Sequence, residues 1–248
     1  MNKLLNQVNV LITTNGKSNK GDFSHTLSQP ICGFKSVEIQ AVNFPNALHN
    51  INEYNNKLYW NDHTTTAITS TIPVGNYDID SLITEINNQL ANDKTDANTY
   101  LIENIANTGT GLKVQNKLKF YANASNNMAL RDGSNSILDI LGFPSSSVSA
   151  NSHTATRTFN LTVSYVLLEH NIPIENGLFF NTNRRDAFLI QLDKGYGQVS
   201  NNQNVSTQVY KLRKNAGINK LSFQLRDLNY NLLSNEGVDY NFMLTFYK

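Results

Sequence analysis

The sequence predicts a mainly β protein, a sandwich of jelly-roll type that carries one amphipathic helix. Short runs in which apolar and polar residues alternate recur along the chain, and this period of two is typical of strands with one buried face. Turn-forming residues separate the runs, among them many of the 39 asparagines, which tolerate left-handed backbone. About ten short strands joined by turns, with one clear helical pattern, favour a β sandwich or jelly roll.

Alternation indicates strands in the N-terminal half. Val37, Ile39 and Ala41 occupy one side of segment 36–42. Segment 64–72 is rich in β-branched residues, which favour strands, and Pro73 ends it. The predicted strands of this half are residues 23–27, 36–42, 57–60, 64–72, 100–104 and 112–121, the last folded as a hairpin about Gln115 and Asn116.

Residues 78–90 form the predicted helix. Its apolar side chains follow the i, i+3, i+4, i+7, i+11 spacing at Ile79, Leu82, Ile83, Ile86 and Leu90. Asp78 or Asp80 can cap the free amides of the first turn. Residues 136–141 predict a short helical turn, and Gly142 suits the left-handed position that closes it.

The C-terminal part of the chain is almost entirely β in prediction. Strands are expected where Phe159, Leu161, Val163 and Tyr165 alternate, and at residues 178–180, 187–192, 206–212, 221–226 and 240–247.

Two apolar rows mark the last two of these strands. One row is Leu221, Phe223 and Leu225, and the other is Phe242, Leu244 and Phe246. They suit either the opposed inner faces of a sandwich or neighbouring strands that share one face. Met243 and Tyr247 point to the other side of the last strand, which predicts contact with a neighbouring subunit.

One domain with an elaboration is the expected organisation for 248 residues, because β sandwiches often exceed 200 residues without dividing. Residues 1–22 are polar apart from 8–12 and are predicted to be an N-terminal arm, with the main domain over 23–248. The beginning lacks the apolar segment of a secretory signal, so synthesis in a reducing cytosol is expected. No window has the ~20 apolar residues of a membrane span.

Charge argues against a role in binding nucleic acid. Charged residues make up 16% of the chain and the formal net charge is +1, so bulk electrostatic attraction to a polyanion is absent. Lys211, Arg213 and Lys214 lie near Lys220, and this cluster is either a local basic patch or a solvated edge.

The sequence predicts no catalytic, cofactor or metal site, and hence no enzyme. Cys32 is the single cysteine, so it can neither form an intramolecular disulfide nor join a cysteine cluster. The run Gly109-Thr110-Gly111 lacks the lysine of a phosphate loop. The five histidines lie far apart and form no helical pair with a glutamate: His25, His49, His63, His153 and His170.

Two further groups leave alternatives open. Tyr54, Tyr59 and Trp60, with Asn55 and Asn56, could form a sugar-binding platform or simply pack into a core. The run Arg184-Arg185-Asp186 could contact phosphate or a neighbouring subunit, or form a solvated loop.

Three stretches, in order, resemble the penton or minor capsid proteins of virophages, polinton-like elements and related large double-stranded DNA viruses. The first comprises Pro30-Ile31, Ser36-Val37-Glu38-Ile39, Phe44-Pro45-Asn46, Asn50-Ile51 and Asn55-Asn56-Lys57-Leu58. The second is Ile72-Pro73-Val74-Gly75-Asn76-Tyr77 with Leu82, Ile83 and Leu141-Gly142-Phe143. The third is Leu221-Ser222-Phe223-Gln224-Leu225-Arg226-Asp227 with residues 237–246.

This resemblance implies a jelly-roll capsid domain over 23–248, with an insertion at about 74–144 that holds the helix. It implies a structural protein of the virion that is made in the host cytoplasm and needs no cofactor. The implied partners are other copies of the chain in a homopentamer at a fivefold vertex, and the major capsid protein. The alternative is another virion or phage tail or attachment protein with receptor or glycan binding.

Overall fold

The structure, a computed structural model, describes residues 7–105, 117–123, 126–175, 186–202, 209–213 and 217–248. They form a mainly β protein with several antiparallel sheets, which confirms the predicted fold class. In chain order the strands are β1 (Gln7–Thr13), β2 (Asp22–Ile31), β3 (Ser36–Pro45), β4 (Lys57–Asn61), β5 (Ala67–Thr71), β6 (Tyr100–Ile105), β7 (Lys117–Ala122), β8 (Ala129–Leu130), β9 (Ser152–Thr154), β10 (Tyr165–His170), β11 (Ala187–Gln191), β12 (Val199–Asn202), β13 (Tyr210–Lys211), β14 (Ile218–Arg226) and β15 (Asn241–Tyr247). The helices are α1 (Ile79–Asp93) and α2 (Leu138–Leu141).

The chain divides into two compact units. The first unit comprises Met1–Leu48 and Val163–Lys248, and the second comprises His49–Thr162. Each unit has its own cluster of buried apolar side chains. Residues 74–144, where an insertion is expected, lie within the second unit, which extends beyond them at both ends.

The first unit has the strand order of a jelly roll. One sheet has the order β1-β15-β3-β12, with β13 also paired to β3, and the other has the order β11-β10-β14-β2. The first strand therefore pairs with the last, and the second strand with the last but one, as in two nested Greek keys. This order defines the jelly roll independently of any sequence pattern.

The two C-terminal rows lie on the opposed inner faces of this sandwich. β14 belongs to one sheet and β15 to the other, and the rings of Phe223 and Phe242 meet edge to face with centroids 4.9 Å apart. The apolar side chains of both rows are all at most 1% exposed. Of the two arrangements that the sequence allows, the structure has the first.

The prediction that residues 1–22 form an arm outside the core is wrong for its described part. Residues Gln7–Thr13 are β1, which pairs with β15 along its full length. Ile12 is fully buried in the core of the first unit. Val8, Val10 and Ile12 alternate as a strand should, but the apolar Leu11 between them obscures the pattern.

The second unit packs two small sheets with α1. The sheets have the orders β5-β4-β8 and β6-β7-β9, and α1 contacts β5 and β6. The predicted helix is confirmed, since Leu82, Ile86 and Leu90 are buried and Ile79 and Ile83 pack against the same core. The backbone amide of Ser81 donates to the Asp78 carboxylate at 2.8 Å, which confirms Asp78 as the cap.

Gly142 closes α2 as predicted. Its φ of 79° lies in the left-handed region, and its amide donates to the carbonyl of Asp139 at 3.1 Å. A Cβ at this position would lie 2.3 Å from the carbonyl oxygen of Arg157. Both the backbone conformation and the available space therefore require glycine here.

The prediction of a strand from Phe159 to Tyr165 is wrong except at Tyr165. Strand β10 begins at Tyr165, and the residues before it are not in a sheet. Phe159 and Leu161 pack against the core of the second unit, whereas Val163 packs against the core of the first. Their alternation reflects side chains that anchor a connecting segment rather than a strand.

Several predictions lie outside the described residues. These are the hairpin turn at Gln115 and Asn116, the turn at Gly109 to Gly111, the strand at 178–180, and residues 206–208 of the strand predicted at 206–212.

Candidate functional site

The outer face of the sheet that contains β1, β15 and β3 carries few charged side chains. Strand register defines it by three cross-strand rows, which are Leu11–Met243–Ala41, Thr13–Asn241–Asn43 and Asn9–Thr245–Glu38. In the first row Leu11 is 64% exposed, while Met243 and Ala41 are half-buried. This row is a small apolar stripe that ends at the edge strand β1.

Glu38, the charged residue of these rows, is held in a local hydrogen-bond network. The Tyr247 hydroxyl donates to its carboxylate, and the Gln40 amide donates to Glu38 at 2.5 Å and to the Tyr247 oxygen at 3.0 Å. The hydrogen bond to Glu38 raises the pKa of Tyr247. The carboxylate is therefore engaged within the chain, and the outer face is dominated by amides, hydroxyls and apolar groups.

The outer face of the other sheet is different in character. Arg226 forms a salt bridge with Glu169 on the neighbouring strand β10 and stacks over the Tyr230 ring at 4.6 Å. The Arg226 side chain is 20% exposed and that of Glu169 is 5% exposed, so this charge pair is formed within the unit and is largely shielded from water. Since interface cores are depleted in charged residues, the face that carries Leu11 and Met243 is the better candidate for contact with another subunit.

The proposed sugar platform is not assembled. Trp60 is fully buried and donates from its indole nitrogen to Ser70 at 3.1 Å. The amide nitrogens of Asn55 and Asn56 donate to the backbone carbonyls of Asn50 and Ile72. The Trp60 ring and these side-chain amides serve the packing of the second unit, which is the core alternative that the sequence left open.

The basic cluster is only partly available for a partner. Lys211 forms a salt bridge with Glu175 at 2.8 Å, and the Arg213 side chain donates to the Ile174 carbonyl at 3.2 Å. Lys214 lies outside the described residues, as do Arg184 and Arg185. The Lys211 and Arg213 side chains therefore make intrachain contacts.

Cys32 and the five histidines do not belong to a metal cluster among the described residues. Cys32 is exposed and free. Within the described ranges, no group of three or more His, Cys, Asp or Glu side chains has the geometry to hold a metal ion. Asp80 lies in the first turn of α1, in line with the capping interpretation of this acidic segment.

A cleft of about 210 Å³ lies on the second unit. Its apolar lining comes from Leu138, Phe143 and Pro144. An exposed ion pair lies beside it, in which an Arg157 guanidinium nitrogen is 2.6 Å from an Asp139 carboxylate oxygen. Ligand pockets are usually about 300–1,000 Å³. The small volume and the paired charges give this cleft little capacity to hold a ligand.

His170 lies in the core of the jelly roll rather than at a site. It is 1% exposed, its ring packs against Phe188 with centroids 4.3 Å apart, and its Nδ1 accepts from the Ile172 amide at 3.2 Å. Burial lowers the pKa of His170 to about 3. The ring is therefore neutral in the folded protein throughout the range in which a free histidine becomes charged.

The fold should consequently lose stability as the pH falls from about 6.5 towards 3. The unfolded chain binds a proton at His170 in this window and the folded chain does not, which costs up to roughly 1.4 kcal/mol per pH unit. Urea unfolding at pH 7, 6, 5 and 4 measures this slope. The variant His170→Asn should be less stable at pH 7 yet flatter over the window, and an equal slope in both proteins would contradict the assignment.

None of the described helices is long and apolar enough to cross a membrane. No protein-family model and no curated protein matches the chain. The crystal structure of the selenomethionine-labelled mavirus penton protein is similar to this chain, with a TM-score of 0.49 and 12% identity over 97% of this chain and 98% of that one. The strand order described above, and not this likeness, identifies the jelly roll.

Proposed function

We propose that this chain is a viral structural protein, a penton or minor capsid subunit that assembles with copies of itself and with the major capsid protein. The proposal rests on the position, in the fold, of the sequence stretches that resemble capsid proteins. The first stretch includes β3 and the third includes β14 and β15. Each of these strands lies between two others in its sheet, so these parts of the first and third stretches build the centre of the jelly roll, whereas the second stretch lies in the second unit.

The packing of the jelly roll supports a structural role. Jelly rolls occur in capsid proteins, lectins and cupins, so the fold alone does not decide between them. Here the space between the sheets is filled by apolar side chains that include Phe44, Phe188, Phe223, Phe242 and Phe246. Because apolar side chains fill the interior, this unit binds partners through its outer surfaces, which are where a shell subunit contacts its neighbours.

The proposed location is the virion, after synthesis in the host cytoplasm, and the proposed assembly is a homopentamer at the fivefold vertex. The apolar stripe of Leu11, Met243 and Ala41 supports contact with a neighbouring subunit, because exposed apolar area is costly to leave in water and suits burial against a protein. No catalytic residue and no cofactor form part of the proposal.

Electron microscopy of the purified full-length chain tests the proposal by symmetry. Class averages of ring-shaped particles should show fivefold symmetry, and adding the major capsid protein of the same virus should place those particles at the vertices of a shell. Trimers, together with binding on a glycan array, would favour the attachment protein instead. Particles without fivefold symmetry, or rings that the shell does not incorporate, would contradict the penton assignment.

A further inference from the structure

Among the described residues, strand β1 is a sheet edge with no second strand beside it. Of the described strands, only β15 pairs with it, so alternate backbone amides and carbonyls of β1 point away from the sheet. Its sequence, Gln-Val-Asn-Val-Leu-Ile-Thr, contains no charged residue and no proline. Exposed edges of this kind readily pair with another strand, and soluble proteins normally block them.

The other edge strands of the jelly roll show such protection. Strand β2 is long but carries Asp22, His25 and Pro30. Strand β11 has five residues, and β12 and β13 are shorter still. Among the edge strands in the described parts of both units, β1 is the longest that lacks both charge and proline. The protection that blocks pairing elsewhere is missing at β1.

The side chains of β1 are incompletely covered on both faces. Val8 and Val10 point to the same side as the buried Ile12 but are only half-buried. Leu11, on the outer face, is 64% exposed and ends the apolar stripe with Met243 and Ala41. A strand added at this edge and centred on Leu11 would cover Leu11 and Val10.

We propose that β1 pairs with β1 of a second copy of this chain, antiparallel and centred on Leu11. This register places Leu11 opposite Leu11 of the second copy, Val10 opposite its Ile12, and Asn9 opposite its Thr13. Every pair is matched in polarity and none brings charges together. The two apolar stripes join into one, from Ala41 of one copy to Ala41 of the other.

This twofold contact is separate from the contacts that would close a ring of five, and it does not depend on the proposed function. It joins two single chains, or two rings, through the same edge. The mass of the assembled protein tests the pairing of β1, whereas fivefold symmetry of the particles tests the penton assignment. Either result can be negative while the other is positive.

Substitution of Leu11 tests the contact. Native mass spectrometry and light scattering should give the wild-type protein an even number of chains, and Leu11→Lys should halve that mass because two cations then face each other across the pair. At a concentration too low for pairing, the melting temperature should be the same for both proteins, since Leu11 is mostly exposed in the single chain. Leu11→Glu should also halve the mass, and an equimolar mixture of the two variants should restore it with one of each per pair.

Leu189→Lys is the matched control, because Leu189 is a partly exposed leucine on β11, an edge strand of the opposite sheet. It should leave the mass unchanged. A wild-type mass that Leu11→Lys does not halve, a halving that Leu189→Lys reproduces, or a mixture that stays at half mass would each overturn the proposal. So would polydisperse aggregates without a discrete doubled species.

Cross-linking tests the register. In a Cys32→Ser background, Leu11→Cys should form a disulfide between copies on oxidation, because opposed Cα atoms in an antiparallel pair lie about 4.5–5.5 Å apart. Asn9→Cys should not, since this register offsets the two copies of residue 9 by four residues, or about 13 Å. Cross-linking of Asn9→Cys with none at Leu11→Cys would overturn the pairing centred on Leu11.

Discussion

A chain that ends at Asp239 is expected to lose the jelly roll entirely. The truncation removes β15, which lies between β1 and β3 and pairs with both along its length. It also removes Phe242, Leu244 and Phe246, which contribute about 1.5–3 kcal/mol each on burial. That sum is comparable with the whole net stability of a domain, about 5–15 kcal/mol.

Hydrogen exchange and urea unfolding of the truncated chain measure this effect. Amides of β3, β10 and β14 should lose protection, whereas those of α1 and β7 should keep it, because the second unit has a core of its own. Removal of Lys248 alone is the control, since this residue is exposed and lies outside β15. A cooperative transition of the first unit without β15 would contradict the central role of this strand.

Ile86→Asp is expected to unfold the second unit or to destabilise it by about 3–5 kcal/mol. Ile86 is fully buried on the face of α1 that packs into the core, and the substitution combines the loss of a large apolar side chain with burial of an unpaired charge. Urea unfolding followed by hydrogen exchange in α1 and β6 reports on this unit directly.

Two further substitutions on α1 serve as matched comparisons. Asn88→Asp adds the same carboxylate at an exposed position and should change stability little. Ile83→Asp should fall between the two, because Ile83 packs against the core but remains half-exposed. If Asn88→Asp destabilised the unit as much as Ile86→Asp does, the effect would come from helix charge and not from the core.

The elements that sequence could predict are those whose signal is local. The stripe through Leu82, Ile86 and Leu90 predicts α1 because a helix buries every third or fourth side chain. Strands β14 and β15 follow from the alternation of Leu221, Phe223 and Leu225 and of Phe242, Leu244 and Phe246, which are buried in both strands. Trp60 and its neighbours left two interpretations open because composition alone does not show which groups are already bonded.

The remainder depends on partners distant in the chain. The sequence does not predict that β1 belongs to the core. The position of β1 depends on its pairing with β15, and Leu11 obscures its alternation. The segment at Phe159 alternates like a strand but pairs with none of the described strands. In the sequence, Met243 alone indicates the candidate interface. Its extent depends on strand register, which places Leu11 and Ala41 beside Met243.

The pairing of β1 with β15 also determines when this protein can fold during synthesis. Thr14 and Tyr240 share a hydrogen bond although they are 226 residues apart in the chain. A ribosome releases the N-terminal strand long before the strand that completes its sheet, and contacts of such long range form slowly. The second unit is continuous from His49 to Thr162, so all of its strands leave the ribosome before β15 does. Nascent β1 therefore lacks its partner strand during most of synthesis. A chaperone that binds uncharged extended segments would bind the chain at β1.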